Sequence, residues 1–159
     1  INPFFIVKEF QEAVFLRNGK FKKVLTKGFH FKLPFIDEYI QQHIIWTTLT
    51  LPSQSLVTKD GKDIVIKSMV KYRVNDVKVF ILEVFDSVDA ISDVSQGIIK
   101  GVIMNSNWEA CTHNDIDNVI TKKIKTELKR WGVEIGQVTL TDIAQIRTIR
   151  LINEGQSIN

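Results

Sequence analysis

The residues best equipped for chemistry stand together at Cys111-Thr112-His113. A thiol and an imidazole two residues apart offer two metal ligands, or a nucleophile with its base. A structural zinc wants four ligands, and the chain has one cysteine and three histidines (His30, His43, His113) in unrelated settings. The simpler reading makes Cys111 a small residue at a helix boundary. The sequence also lacks a Gly-rich phosphate loop, a G-x-S-x-G elbow and an H-E-x-x-H pair. It nominates no catalytic, cofactor-binding or metal-binding residue. An enzyme remains a distant third reading, which an activity or metal assay sensitive to Cys111→Ser or His113→Ala would revive.

Charge is the next signal. Residues 1–80 carry 13 Lys+Arg against 7 Asp+Glu, whereas residues 81–159 carry 8 against 11. Between Glu12 and Asp37 stand six bases (Arg17, Lys20, Lys22, Lys23, Lys27, Lys32) and no acid. Such a run suits an anionic lipid surface or nucleic acid, or is a solvated face. Phe21, Phe29 and Phe31 are interleaved with it, and exposed aromatics stack bases. Phe29, Phe31 and Leu33 share one side of an alternating stretch, however, which more simply means core or membrane contact. Nucleic acid is therefore not expected as a partner.

The pattern of the 159 residues divides the chain into a β half and a helical half. From Phe4 to Val74 the pattern is β. FFIVKEFQEAVFL reads as one or two strands, Asn18-Gly19 as a hairpin turn, and YIQQHIIWTTLTL as a strand region ended by Pro52. After the Asp60-Gly61 turn, Ile64, Ile66, Val70, Tyr72 and Val74 face one way, while Val65, Lys67, Met69, Lys71 and Arg73 face the other. Asn75 caps a short helix over 76–84. Asp86 or Ser87 opens a second, striped by Val88, Ile91, Val94, Ile98 and Val102. Thr112 or Asn114 opens a third, with Ile116, Ile120, Ile124, Leu128 and Trp131 aligned and Gly132 closing it. VEIGQVTLTDI is a last strand that rejoins the sheet, with Gly136 as a bulge. From Asp142 the series Ile143, Ile146, Ile149, Ile152 predicts a helix. Strands first and helices later make the class α+β. No apolar run reaches the roughly 18–20 residues of a spanning helix. The chain begins at Ile1 and stops at Ser157-Ile158-Asn159, which reads as a piece of a longer protein.

The order of these segments resembles the stomatin/prohibitin/flotillin superfamily, also called SPFH or Band 7. A V-x-E-x-x-x-A-V strand and Gly turn stand at Val7, Glu9, Ala13, Val14 and Gly19. G-x-x-F-x-x-P-F stands at residues 28–35, followed by Asp37. A Thr-x-Asp-Gly step leads into a long strand ending Tyr72-Arg73-Val74, and Trp131-Gly132-Val133 precedes Asp142-Ile143. The resemblance spans about residues 4–150. It departs at His43 and Ile45, where the family often has a D-x-R pair, and near Asn114-Asp115, where it usually has an Arg. The chain therefore reads as a divergent member. The implied organisation is an SPFH-like domain over 1–150 and the start of a C-terminal helical, coiled-coil extension at 151–159.

The resemblance implies a non-enzymatic scaffold held at a membrane by an anchor upstream. Its subunits assemble into rings or cages that organise lipids and client proteins, such as a membrane protease or channel. A soluble protein-binding adaptor of the same fold is the alternative. On the scaffold reading, Phe4, Phe5, Phe29, Phe31, Phe35, Lys22 and Lys23 are candidates to face the membrane. Lys67, Lys71, Arg73, Ile146 and Ile149 are candidates for contact between subunits. Partners are then other copies of the chain or related subunits, membrane lipids and a membrane client. No cofactor is implied.

Overall fold

A computed structural model describes residues 2–147. The β half comprises β1 (Phe4–Val7), β2 (Gln11–Arg17), β3 (Lys20–Leu25), β4 (Gly28–Phe31), β5 (Asp37–His43), β6 (Thr47–Val57) and β7 (Asp63–Val74). Then follow α1 (Val77–Leu82), α2 (Ser87–Met104), α3 (Trp108–Thr112), α4 (Asp115–Leu128), a 3-10 turn at Lys129–Trp131, and β8 (Val133–Gln145). The α+β class holds. The strands form three antiparallel sheets, ordered β1-β4, β3-β2-β5 and β6-β7-β8.

The β2 strand shows how two cores are built from one sequence. Ala13, Val14 and Phe15 are all buried, because β2 is covered on both faces. Ala13 and Phe15 join Phe5, Val7 and Leu25 in a small core between the first two sheets. Val14 faces the main core, which the inner face of β7 shares with the helices. That inner face is Ile64, Ile66, Ser68, Val70, Tyr72 and Val74, the alternation read from the sequence. Each fully buried aliphatic side chain there contributes about 1.5–3 kcal/mol relative to exposure. Of the stripe expected on α2, Ile91 and Val102 are buried, but Val88 is exposed and Ile99 and Ile103 lie deeper. On α4, Ile116, Ile120, Ile124 and Leu128 are buried as expected.

Several expectations are corrected. Asp76, not Asn75, caps α1, accepting a hydrogen bond from the Val79 N–H at 3.1 Å. The region ended by Pro52 is two strands in two sheets, and β6 continues through Pro52. It does so because β6 is a sheet edge and its register shifts between Leu51 and Gln54, so no ladder bond needs the missing N–H. A helix does not begin at Asp142. Instead β8 runs on to Gln145, with Ile143 opposite Ile66. Two irregularities break the period of two along β8. β8 carries an extra residue at Gly136, between the partners of Lys71 and Tyr72, and another at Thr141, between the partners of Lys67 and Ser68. The inward residues Ile135, Val138, Leu140 and Ile143 therefore step by three, two and three, while the spacing of three from Ile143 to Ile146 that suggested a helix spans the strand end. The 151–159 extension, Ile149 and Ile152 lie outside the described residues.

Candidate membrane-contact edge and assembly faces

The phenylalanines of the N-terminal half are sorted by strand pairing. β1 and β4 pair with Phe4 opposite Phe31 and Ile6 opposite Phe29, so these four side chains share one face. That face is exposed. The Phe4 ring lies 5.1 Å from Phe29 and 5.5 Å from Phe31, centroid to centroid. Phe35, 92% exposed, lies in the loop that follows β4, with Leu33 and Ile36 also exposed there. The core alternative for Phe29 and Phe31 therefore fails. Phe5 is the exception among the membrane candidates. It points to the opposite face of β1, is only 7% exposed and stacks on Tyr39 with centroids 3.8 Å apart. It belongs to the small core and is withdrawn as a contact residue.

The Phe35 loop is held by a charged clamp. The Arg17 Nε donates to Asp37 Oδ1 at 2.7 Å and its Nη2 to Oδ2 at 3.0 Å. The same carboxylate accepts the Leu33 N–H at 2.9 Å, and the Asn18 N–H donates to the Ile36 carbonyl at 2.8 Å. The Arg17 hydrogen bonds lower the Asp37 pKa below its ordinary value against the opposing effect of burial, with help from the Leu33 N–H. Phe35 itself takes a φ of +73°, a conformation that this clamp must sustain.

Cations surround this edge unevenly. Lys32 lies over the Tyr39 ring at 4.9 Å, and Lys27 pairs with Glu9 at 2.6 Å. Lys22 and Lys23 are exposed on β3, the outer strand of the second sheet, rather than on the phenylalanine-bearing sheet. Sequence reading did not single out Ile6 or Ile36. The alternation of Phe4 with Ile6 carried that signal, once the pairing partner of β1 was known.

The outer face of β7 carries the expected subunit-contact residues. Lys67 and Lys71 are exposed, and Asp142 stands opposite Lys67. Arg73 is already engaged inside the domain. Its Nε donates to Glu134 on β8 at 2.7 Å, and its guanidinium lies 4.7 Å from the Trp46 ring, which Lys71 also approaches at 5.5 Å. Trp46 in turn covers Gly136 at the bulge. Ile146 is exposed just after β8, where its N–H donates to the Asp63 carbonyl at 2.8 Å.

Cys111 is the buried residue of α3. Burial raises its thiol pKa, and the nearby Asp60 charge adds to that, which is the reverse of an activated nucleophile. Asp60 accepts the Thr58 hydroxyl at 2.5 Å and the Trp108 N–H at 3.1 Å, tying the β6–β7 turn to α3. Among the described residues no group of three or more His, Cys, Asp or Glu could hold a metal, and no helix is long and apolar enough to cross a membrane.

A family described as "SPFH domain / Band 7 family" matches residues 5–154. Among curated proteins, an uncharacterized protein of Archaeoglobus fulgidus is 28% identical over 149 residues, covering 92% of this chain and 60% of the relative. A stomatin homolog of Pyrococcus horikoshii is 26% identical over 140 residues, 87% of this chain and 53% of the relative. Mechanosensory protein 2 of Caenorhabditis elegans is 22% identical over 147 residues, 87% of this chain and 30% of the relative. The chain thus spans only part of the length of these relatives.

Proposed function

The chain belongs to the SPFH/Band 7 family, and from that premise we propose that it is the membrane-proximal domain of a non-enzymatic scaffold. The β1–β4 edge rests in the lipid interface, and copies of the domain assemble side by side to organise lipids or a membrane client such as a protease or channel. One observation carries this reading: in a basic N-terminal half, Phe4, Ile6, Phe29 and Phe31 are exposed together on one face of β1–β4, and the loop that follows β4 adds the exposed Phe35. Large apolar side chains held out at one edge mark a contact site. Aromatic side chains beside lysines suit the boundary between headgroups and acyl chains, where each basic residue near an anionic surface adds about 1 kcal/mol. An anchor upstream of Ile1 would bring this edge to the bilayer.

The test is co-sedimentation of the 159-residue chain with vesicles of phosphatidylcholine containing phosphatidylserine. Binding is expected to weaken at high salt. Replacing Phe29, Phe31 and Phe35 with serine should lower the partition coefficient at least about tenfold, since each ring loses its apolar burial. These side chains are exposed, so the variant should keep its wild-type circular dichroism. Unchanged partitioning would sink the membrane edge and leave the adaptor reading.

A further inference from the structure

A second exposed apolar feature lies away from the phenylalanine-bearing sheet, at the corner between α1 and α2. Phe85 is 97% exposed there, with Leu82 and Val88 exposed on either side. The corner is well built. The Ser87 hydroxyl donates to the Phe80 carbonyl and to the Val84 carbonyl, the latter at 3.1 Å, and the Ala90 N–H donates to the Asp86 carbonyl at 2.9 Å. Asp86 takes a φ of +43° to make the bend. The corner therefore holds Phe85 outward on a fixed backbone. Exposed Glu83, Asp86 and Asp89 surround it, none of them in an ion pair among the described residues.

The complementary shape lies at the far end of the same helix. Two adjoining depressions, of about 280 Å³ and 640 Å³, run between α2 and α4. Their apolar lining includes Ile98, Val102, Ile116 and Val119, and Val119 is shared by both and 47% exposed. Lys122 and Lys123 border this groove and take part in no ion pair among the described residues. Of the acids on the rim, Glu127 is held by Arg130 at 2.6 Å, and Asp115 lies at the opposite end from the lysines.

We propose that the Phe85 corner of one copy docks into the α2–α4 groove of the next, with Glu83, Asp86 and Asp89 facing Lys122 and Lys123. Resting on the assembly reading above, this contact names its surfaces. Charge selects the occupant. The three acids around Phe85 repel an anionic bilayer, so this corner does not share the role of the phenylalanine-bearing sheet. A basic-rimmed apolar groove is what an acid-rimmed aromatic knob fits. A copy cannot fill its own groove, because Ser87 and Val102 are separated by about 22 Å along α2 at 1.5 Å per residue. The two surfaces differ, so the contact is head-to-tail and repeats around a ring or along a filament rather than closing as a two-fold dimer.

A charge-swap rescue tests it, read as particle mass of the full-length protein in gently extracted membranes. Glu83→Lys/Asp89→Lys and Lys122→Glu/Lys123→Glu should each raise the concentration for half-assembly at least about tenfold, because like charges then face each other. Combining all four should restore assembly. Phe85→Ser should disrupt it without rescue. Thermal melts of each variant, with Tm close to wild type, show that the fold is intact. If wild type assembles and the swaps assemble as well, or the combined swap fails to restore assembly, this contact is overturned while the scaffold reading stands. If wild type itself is a small species, the scaffold reading falls and the contact with it.

Discussion

Arg17 grips Asp37 through two hydrogen bonds, Nε to Oδ1 at 2.7 Å and Nη2 to Oδ2 at 3.0 Å, across twenty residues of chain. The pair joins β2 to the start of β5, two strands that lie side by side. Between them in sequence runs the loop that carries Phe35, and the buried Asp37 carboxylate fastens that loop through the Leu33 N–H. The most exposed side chain of the proposed membrane edge is thus positioned by an ion pair some residues away from it.

Arg17→Ala is expected to lower the melting temperature and loosen residues 32–36. Asp37 has a folded pKa below its ordinary value of 3.8. A depressed carboxyl adds stability that is present above the unfolded value and is lost as pH falls through the folded value. The gap in melting temperature between wild type and Arg17→Ala should therefore be full at neutral pH and shrink below about pH 4. A gap that is constant down to pH 2 would mean that the pair contributes through packing alone.

Gly132 closes the 3-10 turn at a φ of +72°, and its carbonyl accepts the N–H groups of Asn75 and Asp76 at 2.9 and 3.0 Å. A Cβ at this position would collide with the Asp76 carbonyl oxygen. Gly132→Ala should cost about 1–3 kcal/mol for the left-handed backbone, plus the clash. At Gly136 a Cβ would lie 2.9 Å from the outer ring of Trp46, a side chain 40% exposed rather than fixed backbone. Gly136→Ala should cost less than Gly132→Ala and shift tryptophan fluorescence. Equal costs in chemical denaturation would contradict this ordering.

Cys111 is 1% exposed, and its thiol pKa is raised. A maleimide should label it only as fast as the surrounding structure opens, and mild denaturant should speed the reaction. Cys111→Ser should lower stability by about 1–3 kcal/mol, since a buried hydroxyl lacks a ready partner. Rapid labelling of the native protein would show that the site on α3 is open.

Ile143 distinguishes a strand from a helix at the end of the described chain. Ala144→Pro should remove a β7–β8 ladder bond opposite Val65 and release the strand end, whereas the Ile143 N–H, in the alternate position, faces away from β7. Ile143→Ala, at a half-buried site, should cost about 1–2 kcal/mol, below the range for a fully buried isoleucine. Hydrogen exchange that is as fast at residues 142–145 as in free peptide would argue against the strand.

Local rules written into the sequence determined most of the fold. Asn18-Gly19 and Asp60-Gly61 made hairpins because their neighbours alternate and glycine accepts positive φ. The isoleucines of α4 marked its buried face because they recur every four residues. The inner face of β7 followed from its period of two. Tertiary structure decided what depends on partners distant in the chain. Phe5 went inward and Phe4 outward because β1 pairs with β4 over Tyr39. Ile143 joined a strand because bulges at Gly136 and Thr141 reset its parity against β7. Arg73 was taken up by Glu134 and Trp46, and Phe85 was left bare at a helix corner. A side chain's type states what it prefers to touch; only the closed chain supplies the neighbours.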